Sequence, residues 1–172
     1  METSTERGGF FAREETHKFI PKNEIVGQAN PFSCVAAVCR MILKKYGDDE
    51  PEAYLRNAFD IKEEGASIKV IAEFLKTRRI LQRAMIARRF RFRDDLSFEE
   101  LEEYVPKDLT VVSIRTLKNA HAVVIERIFD DEIFILDPLP EMQGSAYYVR
   151  KEIFLPYWFL PNSETGLAVV LE

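Results

Sequence analysis

One cysteine stands where a turn-rich segment gives way to a long apolar run. Residues 27–33 end at Ser33, a residue type that can cap a helix, and the apolar run from Cys34 lasts to Leu43. This pattern predicts Cys34 in the first turn of a buried helix. Unpaired backbone N–H groups and the positive end of the helix dipole favour the thiolate there. Because the thiolate is the nucleophilic form of cysteine, Cys34 is the predicted nucleophile.

The sequence offers few partners for such a thiol. Thiol-based acyl transfer needs a base within hydrogen-bond reach of the sulfur and a third group that orients the base. Of the two histidines, His17 lies in a polar N-terminal segment, whereas His121 begins a strand with apolar alternation. Asp137 ends the following strand, and a hairpin near residues 128–131 would bring it beside His121. We therefore predict His121 as general base and Asp137 as its orienting acid, although each alone could be a core histidine or a turn former.

Two further residues near Cys34 have opposite predictions. Gln28 carries a side-chain amide shortly before the nucleophile, where it could donate to the oxyanion of a tetrahedral intermediate alongside a backbone N–H. Cys39 lies in the middle of the same helix among apolar residues and is predicted to be structural. Free cysteine is among the most buried residue types, so a lone cysteine would more often be structural. It is the combination with an amide, a histidine and an acid that favours a catalytic site.

The predicted elements place helices in the first half of the chain and strands in the second. The helix that begins at Cys34 is predicted to end at residues 44–47, where two lysines precede Gly47. Further helices are predicted at about 51–59, at 68–79 and, opened by a Ser97 capping box, at 97–106. Strands are predicted at 89–93, 109–114, 120–128, 132–136, 147–149 and 166–171. Helices followed by antiparallel strands indicate an α+β fold.

Length and composition limit the classes of protein that fit this chain. Its 172 residues, 47% hydrophobic and 31% charged, fit one domain, which we place at residues 25–172 behind a polar tail at 1–24. The longest apolar runs are too short to cross a bilayer and no signal peptide is evident, so we expect no membrane segment and a cytoplasmic location. The net charge of −5 argues against nucleic-acid binding. Neither paired metal-ligand motifs nor a Gly-rich phosphate loop is present in the sequence, so no cofactor is expected.

Short motifs around the predicted site residues resemble one protease family. They are Gln28 six residues before Cys34, Met41-Ile42 ahead of Tyr46-Gly47, residues 120–125 around His121, and Asp137-Pro138 sixteen residues after that histidine. From about residue 26 to 160 this pattern resembles the peptidase domain of bacteriocin-processing ABC transporters, which are papain-like cysteine proteases that cut after double glycine. The resemblance implies a papain-like fold, in which the cysteine helix packs on a C-terminal antiparallel sheet that carries the histidine and the acid. It also implies a nucleophile at Cys34, a base at His121, an orienting acid at Asp137 and an oxyanion donor at Gln28.

The resemblance leaves several functions open. The chain lacks the membrane and ATP-binding segments of those transporters, so it could be a stand-alone bacterial processing protease. It could also be a toxin or effector domain delivered into another cell, with a cognate inhibitor or immunity protein. A papain-fold glutamine deamidase toxin and a module that holds leader peptides without cutting them are the alternatives. In each case the expected partner is a peptide or a protein.

Cleavage after double glycine predicts a narrow substrate groove, since glycine has no Cβ. Val35 stands where the family usually has glycine, and it is expected to crowd this groove. The pair Gly8-Gly9 in the predicted tail could itself be a cleavage site. Bulky residues expected to border the groove are Phe32, Leu139, Met142 and Trp158.

Overall fold

A six-stranded antiparallel sheet forms the centre of the computed structural model, which describes residues 9–11, 25–84, 88–116 and 119–172. The strands lie in the order β1-β6-β2-β3-β4-β5. They are β1 Phe90–Ser97, β2 Thr110–Arg115, β3 Ala120–Phe129, β4 Glu132–Asp137, β5 Ser145–Arg150 and β6 Thr165–Leu171. The helices are α1 Cys34–Lys45, α2 Glu52–Ala58, α3 Lys69–Leu75, α4 Arg79–Ala84, α5 Phe98–Tyr104 and α6 Lys151–Trp158. The α+β class predicted from the sequence is confirmed.

Apolar side chains fill both faces of the sheet and form two separate cores. In what we call the first core, α1 and the helices that follow it pack on one face, where Val124 and Leu136 point. In the second core, α5 and α6 pack on the other face, where Val123 and Ile135 point. Because successive side chains of a strand point to opposite faces, each central strand contributes to both cores. The sequence predicted helices against the sheet but not a helical layer on each face.

Helix α1 is held at its C-terminal end by a backbone motif and an ion pair. Its C-terminus closes as a Schellman motif: Gly47 has φ of 72°, and the N–H of Asp48 donates to the Leu43 carbonyl at 2.9 Å. The Lys45 ammonium donates to the Asp108 carboxylate, just ahead of β2, at 2.6 Å. The predicted helix end, with glycine in the C′ position, is therefore confirmed.

The helices of the structure differ from the predicted ones in two places. The helix expected to reach residue 79 ends at Leu75, and a separate helix begins at Arg79. Helix α6 was not predicted, because Pro156 lies inside it and proline normally disfavours a helix interior. Burial of Phe154 and Trp158 against the sheet stabilises this short helix in spite of its sequence. Within the described ranges, no helix is long and apolar enough to cross a membrane.

Three residues of the predicted N-terminal tail pack against the folded domain. Phe11 lies in the second core and is only 1% exposed, and the half-buried Phe10 packs against this core. The Phe11 ring contacts the rings of Tyr147, Phe154 and Tyr157. Residues 1–8 and 12–24, including Gly8 and His17, lie outside the described residues.

Candidate active site

Cys34 is the first residue of α1, as the sequence predicted, but the Ser33 side chain does not cap this helix. Ser33 occupies the N-cap position without a side-chain cap bond. Its hydroxyl instead accepts from the Asn30 N–H and donates to the Asn30 carbonyl, each at 3.2 Å. The Val35 N–H, in the uncapped first turn, contacts the Cys34 thiol and lowers its pKa.

Burial raises the pKa of the Cys34 thiol, but other contacts outweigh burial and leave this pKa below its ordinary value. The largest of these contacts is a hydrogen bond with the His121 side chain, followed by the charge of the same ring and by the N–H groups of Ala122 and Val35. Burial likewise opposes the charged form of His121, while Asp137 and Cys34 together raise the pKa of this imidazole to about 10. These opposite shifts favour a thiolate beside an imidazolium, the reactive pairing for an acyl-transfer cysteine.

His121 reaches Asp137 across the β3–β4 hairpin. Val124 pairs with Leu136, so Asp137 lies opposite Val123 and diagonally from His121 on the same face. The His121 Nε2 atom lies 2.8 Å from Oδ1 of Asp137. The sequence prediction that the hairpin brings these two residues together agrees with this geometry.

Cys34 and His121 approach the site from opposite faces of the sheet. By strand alternation His121 and Asp137 belong to the face of the second core, whereas α1 packs on the first core. They meet where β3 begins and β4 ends, and there the Ala122 N–H also contacts the thiol. The site therefore lies at a strand end.

Asp137 is fully buried and accepts four hydrogen bonds. Oδ1 lies next to His121 Nε2 and accepts from the Leu139 N–H at 2.9 Å. Oδ2 accepts from the Tyr147 hydroxyl and from the Phe10 N–H, the latter at 2.6 Å. Burial and the Asp137 charge raise the pKa of Tyr147 well above its ordinary value, so this hydroxyl stays a donor at neutral pH. Donors on every side hold the carboxylate in one orientation.

Sequence reasoning missed both donors to Oδ2. A signal existed for Tyr147, because β5 was predicted in part and Ser145 pairs with Asp137. Alternation then puts Tyr147 on the same face as the acid. No comparable signal existed for Phe10, which precedes Asp137 by 127 residues.

Gln28 is 1% exposed and lies in a segment tied to the loop after Asp137. Its N–H donates to the Pro138 carbonyl at 3.0 Å, and its own carbonyl accepts from the Met142 N–H at 2.8 Å. The side-chain amide donates one hydrogen to the Asn30 carbonyl at 2.7 Å, and its buried Oε1 atom has no hydrogen-bond partner among the described residues. Since an amide carries two hydrogens, one remains beyond the bond to Asn30.

Cys39 differs from Cys34 in the direction of its pKa shift. It is fully buried in the first core, and burial raises the pKa of its thiol far above the ordinary value. This environment is typical of a structural cysteine.

The four residues predicted to border the substrate groove differ in their solvent exposure. Met142, at 74% exposure, and the half-buried Phe32 are open to solvent, and Leu139 is nearly covered. Trp158 is wrong as a groove residue, because it is fully buried in the second core. Val35 is also misassigned: its side chain is 1% exposed and packs in the first core, so it cannot crowd a substrate.

No group of three or more histidine, cysteine, aspartate or glutamate side chains among the described residues could hold a metal ion. The described site residues are instead a thiol, an imidazole, a carboxylate and an amide. The arrangement suits nucleophilic attack on a carbonyl carbon followed by proton transfer through the imidazole.

Sequence and structure comparisons define the class of this protein as a papain-like cysteine peptidase. The profile of the peptidase C39 family matches residues 22–160, and the chain belongs to that family. The lactococcin-A transport/processing ATP-binding protein LcnC of Lactococcus lactis is 30% identical over 154 residues, and an LcnC-like protein of the same species is 27% identical over 164. Each alignment covers 90% of this chain, which spans only 19% of the length of those relatives.

Solved structures show the same fold. The peptidase domain of Streptococcus ComA, a bifunctional ABC transporter, has a TM-score of 0.65 at 24% identity, covering 87% of this chain and 97% of that domain. A double glycine motif protease from an AMS/PCAT transporter, solved with its leader peptide, has a TM-score of 0.61 at 16% identity, covering 87% of this chain and 91% of its own. A putative C39-like peptidase from Bacillus anthracis has a TM-score of 0.61 at 15% identity, covering 90% and 98%. The family resemblance predicted from the sequence is confirmed.

Proposed function

We propose that this domain is a cysteine endopeptidase that cuts leader-type peptides after Gly-Gly, with Cys34 as nucleophile. The observation that carries the proposal is that the His121 imidazole forms a hydrogen bond with the Cys34 thiol and lies 2.8 Å from Oδ1 of Asp137. The C39 family assignment and the leader peptide bound to the related double glycine protease support the same substrate class.

The proposed reaction assigns one role to each residue. The Cys34 thiolate attacks the carbonyl carbon of the second glycine, while the free hydrogen of the Gln28 amide and a backbone N–H hold the oxyanion. His121 gives its proton to the departing amine as the C–N bond breaks, leaving a thioester on Cys34. His121 then takes a proton from water, which hydrolyses the thioester and frees the thiolate. Asp137 orients the ring and stabilises its charge throughout.

The test is a peptide assay that varies the residue directly before the cut. A peptide with Gly-Gly there is expected to be cleaved, and changing the second glycine to leucine is expected to lower kcat/KM by about 100-fold or more. The physical reason is that the substrate must pass close to the buried start of α1, where glycine alone has no Cβ. Equal kcat/KM values for the two peptides would contradict the Gly-Gly specificity.

The same assay separates the proposal from its alternatives. Mass spectrometry distinguishes two peptide fragments from an intact substrate with a deamidated glutamine. Failure of Cys34 to react with iodoacetamide near neutral pH would favour a peptide-binding module instead. The effector role, an inhibitor protein and a cytoplasmic location stay predictions.

Gln28→Ala is expected to lower kcat by about 10²–10³, the usual effect of removing one oxyanion donor, with a smaller change in KM. The matched control is Gln82→Ala, which removes the same amide from the exposed surface of α4. Steady-state kinetics on both variants check this prediction. A kcat for Gln28→Ala equal to that of the control would remove Gln28 from the oxyanion site.

A further inference from the structure

The N-terminal residues 9–11 contact the candidate acid although they lie outside the range that matches the C39 profile, residues 22–160. The Phe10 N–H donates to Oδ2 of Asp137 at 2.6 Å, and the next N–H, of Phe11, donates to the Tyr147 hydroxyl at 3.2 Å. Consecutive backbone donors thus reach the carboxylate and the hydroxyl that is itself bonded to it. Because both donors are backbone N–H groups of successive residues, they fix the position of the segment along its own chain direction relative to Asp137 and Tyr147.

Aromatic side chains hold the same segment in place. The Phe10 ring stacks on the His121 imidazole, with centroids 5.9 Å apart and planes at 22°, and meets the edge of Tyr157 at 5.3 Å. The buried Phe11 ring fills the second core beside Phe154. The segment therefore covers both the imidazole and the carboxylate that orients it.

Gly9 allows this close approach. A Cβ on Gly9 would lie 2.1 Å from Cε1 of Tyr147, 2.7 Å from Oδ2 of Asp137 and 2.7 Å from Oγ of Ser145. Real side chains do not come so near, so only glycine lets the backbone lie against the acid. In this position the Gly9–Phe10 peptide contacts Asp137.

We propose that residues 9–11 are a positioning element, in which Phe10 holds Asp137 dry and oriented towards His121. The inference rests on the proposed function in taking Asp137 as the orienting acid. Phe10 acts through Asp137 and His121 and does not itself touch the scissile bond. The segment supplies one of the four hydrogen bonds to the carboxylate and shields its charge from water.

Phe10 should also affect the reactivity of the Cys34 thiol, because it shields the Asp137 charge from water. Among the residues that the structure describes, the titratable groups around the His121 ring are Cys34 and Asp137, with Tyr147 bonded to the acid. If Phe10 leaves, water reaches Oδ2 and weakens the attraction between the carboxylate and the imidazolium. Relief of burial at the ring acts in the opposite direction, but the contacts with Asp137 and Cys34 outweigh burial in setting the pKa of His121. The pKa of His121 then falls, and the pKa of Cys34, which the imidazolium lowers, rises. Alkylation of Cys34 should therefore require a higher pH.

The experiment compares full-length variants at position 10. Phe10→Pro removes the N–H donor, Phe10→Leu keeps the donor and most of the bulk, and Phe129→Ala is a control on a phenylalanine that is 71% exposed. Three quantities are measured for each: the pH profile of Cys34 alkylation by iodoacetamide, kcat and KM for a Gly-Gly peptide, and the melting temperature.

Phe10→Pro is expected to move the alkylation midpoint to higher pH and to lower kcat about tenfold, the usual effect of losing a hydrogen bond to a charged group, with KM within about twofold of wild type. Phe129→Ala should keep the wild-type profile and kcat, and Phe10→Leu, which keeps the N–H donor but loses the ring stack, should lie closer to wild type than Phe10→Pro does. An unchanged profile and kcat in Phe10→Pro would overturn the inference, even if its melting temperature fell, because the segment would then be structural only.

The same data separate the inference from the proposed function. If wild-type protein cleaves the peptide and Phe10→Pro behaves like wild type, the positioning role alone is wrong. If wild-type protein cleaves no peptide but Phe10→Pro still shifts the alkylation profile, the peptidase proposal is wrong and the positioning of the ion pair stands.

Discussion

Cys34→Ala is expected to lose peptidase activity by a factor on the order of 10⁵ or more while keeping the fold. The variant removes the only atom that forms the proposed thioester, and the small side chain still fits the first turn of α1. Peptide kinetics and thermal melts on the same preparation measure the two effects. Residual activity within about tenfold of wild type would mean that another residue is the nucleophile.

The second cysteine of α1 provides the matched control. Cys39→Ser should keep kcat/KM within about twofold, because burial raises the pKa of this thiol far above its ordinary value and leaves it unreactive. A buried hydroxyl in place of a thiol should destabilise the fold by about 1–2 kcal/mol, which lowers the melting temperature by a few degrees. An inactive Cys39→Ser together with an active Cys34→Ala would reverse the assignment of the nucleophile.

Local patterns were sufficient to predict the bounds of α1 and the pairing of His121 with Asp137. The start of α1 follows from the change between turn formers and an apolar run, and its end follows from Gly47, which has a positive φ. The β3–β4 turn likewise falls on Asp130 and Asp131, both with positive φ, as short polar residues in a tight hairpin permit. Once this turn is fixed, the positions of His121 and Asp137 follow from the two-residue period of strands.

Other features depend on contacts that local sequence does not encode. Helix α1 is apolar nearly all round, so the sequence could not tell that the Val35 side chain is buried in the first core. Trp158 was misplaced for a related reason, since helix α6, which buries it, is stabilised by the sheet and not by its own helix propensity. The contact between Phe10 and Asp137 joins residues 127 positions apart, and no periodic pattern in the sequence indicates it.

His121→Ala is the second variant with a very large expected effect, a loss in kcat/KM on the order of 10⁵ or more, comparable to that of Cys34→Ala. Without the imidazole, the Cys34 thiol loses its hydrogen bond and its neighbouring positive charge, while burial still raises its pKa. Two measurements should therefore change together: turnover disappears, and alkylation of Cys34 by iodoacetamide moves to higher pH. Near-wild-type turnover by this variant would exclude His121 as the base.

Asp137→Asn tests the third role and should be milder than His121→Ala, with a loss on the order of 10²–10⁴. An asparagine oxygen at the Oδ1 position can still accept from His121 Nε2, so the ring stays oriented but its positive charge is no longer stabilised. The amide nitrogen must then take the Oδ2 position, where the Phe10 N–H and the Tyr147 hydroxyl both donate. Tyr147 can turn its hydroxyl into an acceptor, whereas the Phe10 N–H cannot, so the variant should also release residues 9–11. Combining Asp137→Asn with Phe10→Pro should consequently lower kcat by less than the product of the two separate effects, and full additivity in this cycle would show that Phe10 does not act through Asp137.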